Sequence, residues 1–132
     1  MTIQRQNPPS LHPTPGYHHV TSVDARRTVH LAGQCPLSPD GKVVPGDVLA
    51  QVDQIVANTE AALAHAGATP EDVVRTVIYV ATSDRPTLGA VWERFVNSPI
   101  AAAFTTASTL VGVTCLGFSD QVVELDVTAA LA

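Results

Sequence analysis

The chain has 132 residues, enough for one domain with a single hydrophobic core. Hydrophobic residues make up 45% of it and charged residues 14%, against about 25% charged in a typical soluble domain. Because the chain has so few charged residues, they can cover little of its surface. We therefore expect part of the surface to be buried against another subunit. The net charge is −5 and the seven basic residues form no cluster, which argues against a nucleic-acid partner.

The cysteines and the first residues of the chain indicate which kinds of site and which compartment to expect. Cys35 and Cys115 fit neither a disulfide framework nor a zinc motif, so we expect two free thiols. No apolar run reaches the roughly 18 residues of a membrane helix, so no membrane span is predicted. The first residues lack the charged-then-apolar pattern of a signal peptide, which favours a cytoplasmic location.

The first third of the chain predicts an arm, a hairpin and a loop. Residues 1–15 are rich in proline and lack an apolar period, so we expect a flexible or extended arm before a domain over residues 16–132, with residues 1 to about 12 dispensable for folding. Two β-prone runs, Tyr17–Val23 and Thr28–Gly33, flank a polar corner and predict a hairpin. Residues 36–46 hold three prolines and two glycines and are typical of a loop.

Two helices are predicted from their apolar spacing and their capping residues. Asp47 is a good N-cap, an apolar stripe with helical period follows it, and Gly67 can end the helix. The second helix runs from about Pro86 to Asn97, with an N-cap near Ser83 or Asp84 and apolar residues at i, i+3, i+4, i+7 and i+8.

The remaining strands complete a β-β-α-β-α-β-β order, with strands predicted over Val73–Ala81, Thr105–Val113 and Gln121–Ala129. Right-handed crossovers then place both helices on one face of a mixed sheet. The strand Val73–Ala81 is apolar on both sides, as strands buried on both faces are. We therefore expect the face without helices to pack against another subunit.

The spacing of residues alone indicates few candidate catalytic or metal-binding groups. Glu124 and Asp126 lie two apart on the last strand, so they share one side and could do acid–base work, although a solvated strand edge has the same pattern. His18 and His19 are adjacent and face opposite ways on a strand, so no metal site is predicted. The hydroxyls around Ser108 have no neighbouring base, and the glycine-rich phosphate motifs are absent.

Several segments together resemble the RidA family (reactive intermediate deaminase), also called endoribonuclease L-PSP or YjgF-like. In chain order they are Gly16-Tyr17, Leu31–Gln34, Asp72–Val80, Val111–Val113 and Val123–Asp126, within a resemblance over about residues 16–131. The resemblance implies a chorismate-mutase-like α/β (α+β) fold and a homotrimer whose sheets pack into a central barrel, with small-molecule clefts between subunits. It also implies hydrolysis of enamines and imines released by pyridoxal-phosphate enzymes, without a metal or an organic cofactor.

The resemblance implies four cleft residues, and two positions depart from the family pattern. Tyr17, Gly33 and Glu124 match the usual cleft residues, and Glu124 takes the place of the group that positions or activates water. Active members carry an arginine that clamps the substrate carboxylate, and Ser108 stands there in this chain, while Leu110 replaces a frequent cysteine. Serine cannot neutralise a carboxylate, so we expect a neutral or cationic imine, or a related metabolic intermediate, rather than 2-aminoacrylate.

Three functions stay open at this point. The first is an enzyme of the hydrolase or deaminase type that acts on a C–N bond of a small molecule, with Glu124 as its acid–base group. The second is a ligand-binding or regulatory trimer without turnover. The third is the ribonuclease activity implied by the family's older name, against which the acidic net charge argues.

Overall fold

A mixed sheet backed by two helices forms the body of the protein in the computed structural model, which describes residues 1–132. The strands are β1 (Thr2–Gln6), β2 (Val20–Asp24), β3 (Arg27–His30), β4 (Val73–Val80), β5 (Ala107–Gly112) and β6 (Val123–Leu131). The helices are α1 (Val48–His65) and α2 (Arg85–Val96), with short 3₁₀ turns at Pro70–Asp72 and Ala101–Phe104. Four strands form one sheet in the order β3-β6-β4-β5, and β1 pairs with β2 in a second, two-stranded sheet.

Both helices lie where their capping residues predict. The Asp47 carboxylate accepts a hydrogen bond from the amide of Ala50 at 2.9 Å, and Asp84 accepts from the amide of Thr87 at 3.1 Å. Gly67 follows α1 with a φ of +80°, the left-handed conformation that ends a helix. Neither helix combines the length and the apolarity needed to cross a membrane.

One face of the four-stranded sheet packs against both helices. Val123, Leu125 and Val127 of β6 are almost fully buried in one cluster with Ile78 of β4 and Phe95 of α2. Side chains alternate along a strand, so the residues between them point to the opposite face. This arrangement confirms the predicted mixed sheet with two helices on one face.

The face without helices is mixed rather than apolar. A register shift between Val73 and Arg75 lets both Val73 and Ile78 contribute to the core, so β4 does not alternate as a regular strand would. Val77 and Tyr79 are left half-buried on the opposite face, and Arg75 is exposed. The expectation of a strand apolar on both sides is therefore corrected, and packing of this face against another subunit stays a prediction.

The predicted hairpin between Tyr17–Val23 and Thr28–Gly33 is wrong. β2 pairs with β1, whereas β3 pairs with β6, so the two runs belong to different sheets. The corner between them has no glycine or asparagine for a two-residue hairpin turn, which leaves the strands free to take other partners. Pairing with β6 sets Val29 opposite the buried Ala129 and so adds β3 to the core.

Residues 2–6 form a strand, whereas the sequence predicted a flexible or extended arm over residues 1–15. β1 pairs with β2 along its whole length, with Ile3 opposite Val23. The Nη2 atom of Arg5 also donates to the carbonyl oxygens of Glu71 and Val73, both at 2.9 Å. These contacts tie the N-terminal residues to the start of β4, so their loss is expected to lower stability.

Replacing Arg5 with alanine is expected to lower the free energy of unfolding by about 1–3 kcal/mol, because the exposed carbonyl group of Glu71 and the part-buried carbonyl group of Val73 both lose a charged donor. Gln4→Ala is the matched control, since Gln4 is exposed on the same strand and is expected to change stability by less than about 0.5 kcal/mol. Urea unfolding of both variants measures the difference. Equal stabilities would show that the N-terminal strand does not support the domain.

Candidate functional site

Glu124 lies on β6 with its side chain on the face opposite the helices, because its neighbours Val123 and Leu125 are both in the core. One oxygen of its carboxylate has two donors. The side-chain amide of Gln121 donates to Oε1 at 3.1 Å, and the thiol of Cys35 donates to the same atom at 3.2 Å. The carboxylate is therefore held through Oε1.

Gly33 provides the space for the other oxygen. A Cβ at this position would collide with Oε2 of Glu124 and lie 2.9 Å from its Cδ. The next residue, Gln34, pairs with Leu125 through backbone bonds of 2.7 and 3.0 Å, which holds this segment against β6. The structure thus brings Gly33 and Glu124, both predicted as cleft residues, into direct contact.

The Cys35 thiol is kept protonated by its surroundings. Burial disfavours the thiolate, and the hydrogen bond and negative charge of Glu124 add to that effect, so the pKa of Cys35 is raised to about 11. A protonated thiol can donate to a carboxylate, whereas a thiolate would repel it. Cys35 and Cys115 are both free, as the sequence predicted.

Ser108 lines a different part of the molecule, a pocket of about 330 Å³ beside α2. Its lining residues are Pro15, Tyr17, Gly89, Trp92, Ser108 and Leu110, none of them charged. Tyr17 and Trp92 pack edge to face with ring centroids 6.0 Å apart. Trp92 packs edge to face against Phe104 at the same centroid distance. The predicted residues Tyr17 and Ser108 therefore share an uncharged pocket that has two aromatic rings in its wall.

The hydroxyl of Ser108 is occupied within the chain. It accepts a hydrogen bond from Oγ1 of the buried Thr76 at 2.6 Å and donates to the carbonyl oxygen of Thr106 at 3.1 Å. A hydroxyl has one proton to donate, so Ser108 cannot donate to a ligand without breaking an internal bond. It fills the pocket wall without providing a free donor or a positive charge.

The structure separates Glu124 from Ser108. β4 lies between β5 and β6, and Ser108 is on the helix face beside the buried Thr76, whereas Glu124 is on the opposite face. Within one chain, Ser108 and Glu124 therefore lie neither on adjacent strands nor on the same face of the sheet. We call Gly33, Cys35, Gln121 and Glu124 the carboxylate half-site, and Tyr17, Trp92, Ser108 and Leu110 the aromatic half-site.

Three of these side chains were not singled out from the sequence as site residues. Cys35 is two residues from Gly33, and in extended backbone this spacing puts both on one side, a usable but weak signal. Trp92 fits the apolar stripe of α2, a pattern typical of core residues, but it is half-buried and lines the pocket. Nothing in the local sequence marks Gln121, whose role depends on the chain turning back toward β6.

Two larger grooves lie away from these residues. One, of about 720 Å³, runs between α1 and α2, and the other, of about 760 Å³, lies at the start of α1. The first carries the exposed ion pair of Arg94 with Asp53 at 2.7 Å, whose hydrogen bond lowers the pKa of Asp53. Neither groove contains a predicted site residue, so volume alone does not make either the candidate site.

Comparison with known proteins identifies the family. The family model described as endoribonuclease L-PSP matches residues 9–131. The chain belongs to this family, the RidA or YjgF family. The match covers every strand except β1 and every residue of the two half-sites.

Individual members of the family are similar to this chain in sequence or in structure. A RutC family protein of Haemophilus influenzae is 36% identical over 78 residues, which span 58% of this chain and 60% of that protein. The 2-iminobutanoate/2-iminopropanoate deaminase of Escherichia coli K12 is 35% identical over 78 residues, which span 58% of this chain and 61% of the deaminase. The Rid-family protein YyfB of Yersinia pestis, of unknown function, matches in structure with a TM-score of 0.88 at 33% identity, covering 99% of this chain and 100% of that one.

Replacing Gly33 with alanine is expected to displace the Glu124 carboxylate without unfolding the protein. Gly33 has no left-handed φ, and the added Cβ meets the end of a flexible side chain, so we expect a loss of stability below about 2 kcal/mol. A crystal structure of the variant would show Oε1 moved away from the Cys35 thiol. Gly117→Ala is the control, because a Cβ there meets nothing within 4 Å. An unmoved carboxylate in Gly33→Ala would contradict the close contact.

Proposed function

We propose that this RidA-family protein hydrolyses a neutral or cationic imine to a carbonyl compound and ammonia. The observation that carries the proposal is the Glu124 carboxylate, whose Oε1 is held by two donors while Oε2 lies over Gly33 and can act on a reactant. The relation to a 2-iminobutanoate/2-iminopropanoate deaminase supports the reaction class.

Glu124 would serve as the acid–base group of this reaction. Its Oε2 takes a proton from water while the water oxygen attacks the imine carbon, and passes that proton to the imine nitrogen, giving a carbinolamine. Oε2 then takes the proton of the carbinolamine hydroxyl group and transfers it to the nitrogen, so that the C–N bond breaks and ammonia leaves as the carbonyl forms. One imine and one water thus become one carbonyl compound and one ammonia, with no oxidant or reductant required.

The uncharged aromatic half-site supports a substrate without a carboxylate. An anionic substrate next to Glu124 would experience a repulsion of roughly 4 kcal/mol at 4 Å and an effective dielectric constant of about 20. Active relatives are expected to offset this with an arginine, and Ser108 takes that position here. Since the Ser108 proton is already donated to Thr106, the pocket supports apolar or cationic groups, which Tyr17 and Trp92 can contact through their rings.

A complete site would require two subunits of a homotrimer. Within one chain the carboxylate half-site and the aromatic half-site lie on opposite faces of the sheet, so a ligand cannot reach both. Packing of the helix-free face against a neighbour would bring Glu124 of one subunit to the aromatic half-site of the next. This assembly also gives a partner to the half-buried Val77 and Tyr79 and the exposed Val111.

The proposed reaction is tested with imines generated in situ. Wild type should accelerate hydrolysis of the uncharged imine formed from benzylamine by a flavin amine oxidase, and act at least about tenfold less on 2-iminopropanoate formed from alanine by an amino-acid oxidase. Ammonia release above the spontaneous rate is the measurement. Glu124→Gln should lower the enzymatic rate by about a hundredfold or more, and Ser108→Arg should raise activity on 2-iminopropanoate.

Asp126→Asn is the matched control for Glu124→Gln, because Asp126 lies two residues away on the same face of β6 and is exposed. Its activity should equal that of wild type. Efficient hydrolysis of 2-iminopropanoate by wild type, unaffected by Glu124→Gln, would defeat the proposal. Binding of imine analogues without any turnover would instead favour the regulatory trimer.

The two-subunit site predicts complementation between inactive variants. Glu124→Gln keeps the aromatic half-site, whereas Tyr17→Ala keeps the carboxylate half-site, so mixed trimers contain some sites with both halves intact. Refolding the two inactive variants together at equal amounts should restore about a quarter of wild-type activity, since one in four random pairings is intact. Each variant refolded alone is the control. No recovery in mixtures that sedimentation shows to be trimers would refute the shared site.

A further inference from the structure

The Cys35 thiol lies in a fixed place beside Glu124. The backbone of Gln34 pairs with Leu125 in both directions, so the residue after it is held against β6. From there the Cys35 thiol donates to Oε1 of Glu124 at 3.2 Å, with a second contact of 3.5 Å to the carbonyl oxygen of Gly33. The backbone pairing of the preceding residue therefore helps to set where the Cys35 sulfur lies, and the rotamer of Cys35 does not set it alone.

Gln121 provides the second donor from the other side. Its amide nitrogen donates to Oε1 of Glu124 at 3.1 Å and to the carbonyl oxygen of Val123 at 3.0 Å, and its amide oxygen accepts from the amide of Phe118 at 3.2 Å. Gln121 is 4% exposed, so it has little freedom to turn away. Two donors from separate segments thus converge on a single oxygen.

This convergence divides the two oxygens of Glu124 between two tasks. Oε1 accepts from Cys35 and Gln121 and is thereby fixed, while Oε2 is placed over the open backbone of Gly33. A carboxylate held at one oxygen keeps the other in a constant direction, which is what a proton transfer needs.

We propose that Cys35 is a positioning residue, whose thiol together with the Gln121 amide fixes Oε1 of Glu124 and directs Oε2 to the reactant. The inference rests on the proposed role of Glu124 in imine hydrolysis. Cys35 does not act as a nucleophile in this scheme, since a thiol with a pKa of about 11 is almost entirely protonated at neutral pH.

The first arm of the test needs no substrate. Alkylation of Cys35 by iodoacetamide is followed against pH by peptide mass spectrometry, with the exposed Cys115 as an internal reference. Burial is the largest cause of the raised pKa of Cys35, and Glu124→Gln removes the further contribution of the carboxylate, so alkylation of Cys35 at pH 9 should become about threefold faster or more. Asp126→Asn should leave the profile unchanged. Identical profiles in both variants would overturn the inference.

The second arm measures turnover of the benzylamine-derived imine. Cys35→Ala should lower kcat about tenfold with KM changed less than about twofold, because the substrate still binds but Oε2 is less well directed. Cys35→Ser keeps a donor and should recover most of the lost kcat, which a mere loss of packing would not explain. Wild-type kcat in Cys35→Ala would overturn the inference. If wild type hydrolyses no imine, the proposed function fails and the alkylation arm alone decides whether Cys35 holds Glu124.

Discussion

The two-residue period of β6 is the constraint on which both half-sites depend. Val123, Leu125 and Val127 must face the helices to close the core, so Glu124 and Asp126 have to face the other way. A shift of one residue would bury two carboxylates and expose three core residues. The requirement of the core therefore determines the direction of the candidate acid–base group.

The same sheet separates the charge of the site from its apolar contacts. Glu124 has only neutral donors at Oε1, and the Ser108 pocket has no charged lining residue. A carboxylate without a nearby cation favours ligands that are neutral or positively charged, in contrast to a site that clamps an anion with arginine. Under the proposed function, Glu124 would keep the role of directing water, while the class of substrate would be set by residues on the opposite face of the sheet.

Sequence signals predicted the structure correctly where the interaction they indicate lies within one helix and its flanking residues. Asp47, Asp84 and Gly67 predicted the ends of the helices because each satisfies backbone groups of the helix it flanks. The partners of the short strands were not predictable in this way. β1 lies in a proline-rich segment and is a strand because β2 is available to it, and β3 joins β6, about a hundred residues later in the chain.

The sequence by itself determined the family, the helices, the long strands and the identity of the four expected cleft residues, since periodicity, caps and motif order are properties of the chain. Only the tertiary structure decided which of these residues meet. Gly33 reaches Glu124 because Gln34 pairs with Leu125, and Ser108 is kept from Glu124 because β4 inserts between β5 and β6. Cys35 contacts Glu124 for the same reason. Strand pairing between residues far apart in the sequence decides which side chains share a face, and the local sequence pattern does not.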